Sequence, residues 1–133
     1  MVTYWDMDGV LANFHKAFAE NRGVALSRFG MANLEPFAEN VAILRARIAA
    51  GEKCYILTRA ANDNGAAGKI DWLRKYVPEM DAENIIILLK GRKVDNIREP
   101  GILIDDDERN TKAWNKAGFP AILLAEKGET VRL

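Results

Sequence analysis

Five short apolar runs, continuous rather than alternating in polarity, set the tightest limit on how this chain folds. They cover residues 2–5, 53–57, 84–89, 102–104 and 120–124, and the second ends at Thr58. A strand that is apolar at every position needs both faces covered, which is the condition inside a parallel sheet. The β-branched and aromatic residues of Val2-Thr3-Tyr4-Trp5 suit such a pleated, buried surface. The last run opens on Pro120, which cannot donate to a ladder, so it is expected at a sheet edge. Helical patterns lie between the runs. Residues 36–50 carry Phe37, Val41, Leu44 and Ile48 at helical spacing, with Pro36 near the start and Gly51 just past the end. Ile70, Leu73, Tyr76 and Val77 mark another helix, closed by Pro78. Residues 109–117 make a third, with Trp114 inward and Gly118 as the stop. This alternation predicts an α/β fold, a Rossmann-like doubly wound parallel sheet of about five strands.

The 133 residues read as one domain, residues 1–133. Between Leu11 and Glu52 lie roughly 40 residues without a strand, too many for a plain connection. Residues 12–50 are therefore expected to form a small helical insert overhanging the first strand's loop. The insert either caps that loop or packs as a helix pair on the sheet. Acidic and basic residues balance at 19 each. That argues against a large basic footprint for duplex DNA or an anionic membrane, but leaves room for a local basic groove. Cys54 is the sole cysteine, so no internal disulfide can form, and a small core residue is expected there. No apolar run approaches the roughly 18 residues of a spanning helix. The chain starts on a strand rather than on a basic-then-apolar signal pattern. A reduced, cytoplasmic setting with no membrane partner is the expectation, and nothing in the pattern sets an oligomeric state.

The first run ends in Asp6-Met7-Asp8-Gly9 and the fourth in Asp105-Asp106-Asp107. Ligands of open α/β sheets bind at the carboxyl ends of strands, where both clusters are expected. Carboxylates this close repel unless a cation, a proton or an array of donors compensates. If the two strand ends meet, they make a hard oxygen site suited to Mg²⁺. Phosphoryl transfer needs a nucleophile or an oriented water, a divalent cation, and donors for the equatorial oxygens. Asp6 can serve as the nucleophile. Asp8 can serve as the general acid–base, provided a turn at Gly9 brings it into the same pocket. Asp106, with Asp105, completes the cation site, and Asp107 is the expected cap of the following helix. Thr58 offers a hydroxyl, and Lys90 or Lys93 an ammonium, to a phosphate; Lys93 is preferred although Lys90 lies closer to the strand end. Gly9, Arg59 and Lys90 are the candidate substrate contacts. His15, Phe14 and Phe18 follow the first loop, where surface or packing roles are expected for them.

The order along the chain is Asp-x-Asp, Thr, Lys, then the acidic pair. Receiver domains of signalling systems use similar residues, but there the acidic pair comes first. The order here resembles that of the haloacid dehalogenase-like hydrolase superfamily, from residue 2 to about residue 124. The four motifs are Asp6-Met7-Asp8-Gly9-Val10-Leu11, then Thr58, then Lys90 or Lys93, then Ile102-Leu103-Ile104-Asp105-Asp106. The resemblance implies that Asp6 is the nucleophile and Asp8 the acid–base. It further implies that Asp6, the backbone carbonyl of Asp8, and Asp106 hold Mg²⁺, with Asp105 in support. Asn110 stands where that superfamily commonly has a further acidic residue. Within it, the chain looks similar to small 5'(3')-deoxyribonucleotidases and to the 3'-phosphatase domain of polynucleotide kinases. That similarity rests on Ile104-Asp105-Asp106, Ala113-Trp114, Ala117-Gly118 and Ile70-Asp71-Trp72-Leu73-Arg74-Lys75-Tyr76. The expectation is a Mg²⁺-dependent phosphomonoester hydrolase acting through an aspartyl-phosphate on a small phosphorylated substrate, a nucleotide. One alternative is a 3'-phosphatase on nucleic acid ends, with residues 90–93 and Arg59 as its basic track. The other is a non-catalytic binding domain that keeps the fold.

Overall fold

The computed structural model describes residues 1–133. Its strands are β1 (Val2–Trp5), β2 (Lys53–Arg59), β3 (Ile85–Leu88), β4 (Ile102–Asp105) and β5 (Ala121–Leu123). Its helices are α1 (Phe14–Glu20), α2 (Arg22–Ala25), α3 (Arg28–Ala32), α4 (Ala38–Ala49), α5 (Asp63–Tyr76) and α6 (Glu108–Lys116). All strand pairs are parallel, in the order β3-β2-β1-β4-β5, so β5 lies at an edge. The chain builds outward from β1 on one side, then returns to build outward on the other. The crevice at the carboxyl ends beside β1 is therefore the topological switch point. Trp5 pairs with Ile56 and with Ile104, which brings Asp6 level with Asp105.

Both faces of the sheet are covered, which is why the strand sequences do not alternate in polarity. Trp5, Cys54, Ile56 and Ile104 face a layer holding Val41 and Leu44 of α4 and Trp72 and Leu73 of α5. Tyr4, Tyr55, Leu57 and Leu103 face the opposite layer, around Trp114 of α6. Tyr4 stacks on Tyr55 with centroids 4.7 Å apart and meets Trp114 edge-on at 5.0 Å. Trp5, Trp72 and Trp114 are fully buried, and each indole N–H has an acceptor: Thr3 Oγ1, the Leu34 carbonyl and the Gly101 carbonyl. A buried indole without such a partner would cost about 1–3 kcal/mol.

Residues 12–50 divide into two parts. α4 carries the chain back to β2 and packs on the sheet. The short helices α1, α2 and α3 are capped by Asn13, Asn21 and Ser27, and α3 lies against α5. That approach depends on Gly68, where an added Cβ would sit 2.6 Å from the Arg28 carbonyl oxygen and 2.7 Å from Met31 Cβ. Arg28 then reaches Asp71, Nε to Oδ2, at 2.8 Å. α5 itself starts at an Asn62 cap, whose Oδ1 accepts from Gly65 N at 2.8 Å, well ahead of the periodic residues 70–77. At the other end of the chain, buried Asn40 donates to the Val10 and Glu129 carbonyls, both at 2.9 Å. It also accepts from Val131 N at 2.8 Å. This ties residues 126–131 across the first loop. No helix is long and apolar enough to cross a membrane.

Candidate active site

The carboxyl ends of the central strands converge on a cavity of about 480 Å³. Asp6 follows β1, and its backbone N–H donates to the Ile104 carbonyl at 2.9 Å. The next residues close a tight turn in which Leu11 N and Ala12 N both donate to the Met7 carbonyl, at 2.8 and 2.9 Å. The turn needs Gly9 at φ 84°, a region that L side chains avoid. A Cβ there would also lie 2.2 Å from Asp106 Oδ2. The turn returns Asp8 to the side of the sheet that Asp6 faces, and both line the cavity.

Lys93, in the 3₁₀ turn Lys93–Asn96 beyond β3, reaches into this acidic ring. Its ammonium donates to Asp6 Oδ1 at 2.7 Å and to Asp105 Oδ2 at 2.8 Å. Asp105 is fully buried, and its carboxylate accepts two further donors: Asp107 N at 2.9 Å and Asn110 Nδ2 at 3.1 Å. Asp106 is satisfied from the opposite direction, by Lys127 at 2.5 Å. Carboxylate oxygens of Asp6, Asp105 and Asp106 lie within 4.8 Å of one another, an arrangement that could hold a metal ion. Burial pushes the Asp6 carboxyl well above its ordinary value; Lys93 opposes that shift, and Asp105 and Asp8 add to it. Burial would strip the Lys93 proton, but Asp6 and Asp105 hold its ammonium above the usual range. Burial alone would raise the Asp106 carboxyl, but hydrogen bonds with Lys127 and Asp6 and the charge of Lys127 together hold it below its ordinary value.

A second ammonium occupies the other flank. Lys69 on α5 donates to Asp8 Oδ2 at 2.8 Å and to Thr58 Oγ1, near the end of β2, at 2.9 Å. Four carboxylates thus meet three ammonium groups, those of Lys69, Lys93 and Lys127.

Asp6, Asp8, Thr58, Arg59, Lys93, Asp105 and Asp106 are brought together around the cavity, with Gly9 in contact range of Asp106. Lys90 is not: it is exposed just beyond β3 and lines neither this cavity nor the one beside it. Asp107 caps α6, accepting from Arg109 N at 2.9 Å. Phe14 and His15 line the cavity mouth, where packing or surface roles were expected, while Phe18 is exposed and outside it. Lys69 and Lys127 carry no motif. The one available signal for Lys69 was its place on the helical stripe with Trp72, Leu73 and Tyr76, where a lysine in an inward row needs a buried partner. A second cavity of about 380 Å³ adjoins the first and shares Arg59, Lys93, Asp107, Arg109 and Asn110 with it, adding Arg92.

No family model matches the sequence, and no curated protein does either. Among solved structures, one chain in the structure of a Pnkp1/Rnl/Hen1 complex is similar in shape, with a TM-score of 0.68 at 15% identity. The match covers 92% of this chain and 45% of that one, so the present chain spans less than half the length of its neighbour. At that identity the likeness carries the fold: a five-stranded parallel α/β sheet of Rossmann-like type.

Proposed function

We propose that this chain is a Mg²⁺-dependent phosphomonoester hydrolase that works through an aspartyl-phosphate on Asp6, with nucleotides as its substrate class. The observation that carries the reading is the meeting of Asp6, Asp8, Thr58, Lys93, Asp105 and Asp106 at one cavity from several strand ends. Lys93 engages Asp6 Oδ1, which leaves Oδ2 to attack phosphorus. The Thr58 oxygen accepts from Lys69, so its own hydrogen is free for a phosphate oxygen. As the bond from Asp6 to phosphorus forms, the bond from phosphorus to the leaving oxygen breaks, and that oxygen takes its proton from Asp8. Water then attacks the phosphoryl group, Asp8 takes the water's proton, and the Asp6 carboxylate departs.

Three clustered carboxylates, one of them pushed toward its neutral form by burial and like charge, fit a hard divalent cation. Asp6 and Asp106 would hold it, with the Asp8 carbonyl; Asp105, whose oxygens already accept three N–H groups, supports. Bound Mg²⁺ would offset the repulsion between a phosphate dianion and the attacking carboxylate.

A second reading, 3'-phosphate removal from nucleic acid ends, is favoured by the adjoining cavity with Arg59, Arg92 and Arg109, which offers cations to a following phosphodiester. The test is phosphate release, with Mg²⁺ and with chelator, from nucleoside 5'- and 3'-monophosphates, sugar phosphates and a 3'-phosphorylated oligonucleotide. Mg²⁺-dependent release that Asp6→Asn abolishes is expected. Release from the oligonucleotide alone selects the second reading. Silence from folded protein across the panel rejects both.

A further inference from the structure

Lys69 is 0% exposed, and its ammonium has two side-chain partners, Asp8 Oδ2 and Thr58 Oγ1. A buried ammonium is costly unless it is paired and hydrogen-bonded, so a lysine in this row of α5 needs a strong local reason. Neither partner belongs to the helix; both sit at the cavity, Asp8 in the loop after β1 and Thr58 on β2. The Asp8 carboxylate has no other anchor, for Oδ1 is buried without a hydrogen bond. The lysine is itself sealed in place, because Gly68 beside it lets α3 close onto α5.

We infer that Lys69 is a positioning residue: it pins the Asp8 carboxylate to the Thr58 hydroxyl, so that the acid–base group and the phosphate-facing donor move as one unit. This rests on the hydrolase reading above. Without the ammonium, Asp8 loses its single hydrogen-bonded anchor and is free to rotate away from the leaving oxygen, while Asp6 keeps its own clamp at Lys93. The defect must then fall on proton delivery. When the bond from phosphorus to the leaving oxygen breaks, the electron pair stays on that oxygen. An alkoxide needs the Asp8 proton as it leaves; a nitrophenolate does not.

The experiment compares kcat/KM of wild type, Lys69→Met, Asp8→Asn and the double variant on two substrates, a nucleoside 5'-monophosphate and p-nitrophenyl phosphate. Lys69→Met is expected to lower kcat/KM on the nucleotide about 100-fold, within the range of general acid–base catalysis, and on the aryl phosphate by less than about tenfold. In the Asp8→Asn background the same change should cost less than about twofold, because the two residues act as a unit. Should Lys69→Met fail to fold, Lys69→Gln, which is uncharged and one bond shorter and so loosens the same anchor, carries the same comparison. Equal losses on both substrates, or independent losses in the double variant, would overturn the inference and leave the hydrolase reading standing. A wild type inactive on both substrates and on the 3'-phosphorylated oligonucleotide sinks the two together.

Discussion

Two buried lysines flank β1, and they solve opposite problems. Lys93 links the ends of β1 and β4 through Asp6 and Asp105, both carboxylates that water scarcely reaches. Lys69 links the loop after β1 to β2 through Asp8, whose side chain is 25% exposed, and a neutral hydroxyl. The first lysine neutralises charge that has nowhere else to go. The second orients a carboxylate that could otherwise turn to solvent. Charge compensation and aim are thus divided between two groups of the same chemistry.

The hardest way to break that contrast is Lys93→Met. It leaves Asp6 and Asp105 buried without their counter-charge and is expected to lower stability by about 3–5 kcal/mol in urea unfolding at neutral pH. Lys69→Met, by the same measurement, should cost about 1–3 kcal/mol, because Asp8 can rehydrate. Equal costs would erase the distinction. Mg²⁺ sharpens it from the acidic side. At about a hundredfold excess over its dissociation constant, it should stabilise the wild type by about 2.7 kcal/mol, and this gain should shrink in Asp106→Asn. A metal response that Asp106→Asn leaves untouched would move the ligand elsewhere. Gly68→Ala attacks the lid over Lys69 alone. The new Cβ meets the Arg28 carbonyl, so a loss of about 1–3 kcal/mol is expected. That should outweigh the roughly 0.5–1 kcal/mol that Ala gains over Gly within a helix. A rise in thermal stability would show that α3 gives way freely.

The smallest effect belongs to the surface pair that fastens α3. Hydrogen bonds from Arg28 hold the Asp71 carboxyl below its ordinary value. A depressed carboxylate contributes stability above its unfolded pKa, about 3.9, and that contribution disappears as pH falls through the lower folded value. Melting curves of wild type and Asp71→Asn should therefore differ slightly at neutral pH and converge in acid. A gap that persists at low pH would assign it to something other than this ion pair.

What could be read from the chain beforehand follows from periodicity. The strand runs were legible because both faces of the sheet are covered, and four of them match within one residue at each end; β2 runs two residues further, to Arg59, carrying Thr58 inside the strand. Residues that arrive at the cavity on strand ends, Asp6, Thr58, Asp105 and Asp106, could be placed because a strand end is a fixed location in such a sheet. Order along the chain called for a lysine after β3 without separating Lys93 from Lys90; Lys93, the preferred one, lines the cavity and Lys90 does not. The first half of α5 was missed because Gly65, Ala66, Ala67 and Gly68 carry no apolar period. The helices α2 and α3 are single turns, recognisable mainly by their Asn21 and Ser27 caps. Lys127 comes from a tail whose position is set by Asn40, far away in sequence, and no local pattern could have announced it.

The placement of the tryptophans gives the molecule two built-in optical channels. Trp5 and Trp72 lie in one apolar layer and Trp114 in the other, all three shielded from water. Replacing Trp114 by Phe would leave emission that reports solely on the layer shared by β1, α4 and α5. Replacing Trp5 and Trp72 would leave the α6 layer alone. Loosening on the flank that holds Lys69 could then be watched separately from loosening beside α6, in a chain too small to dissect by cutting it in two.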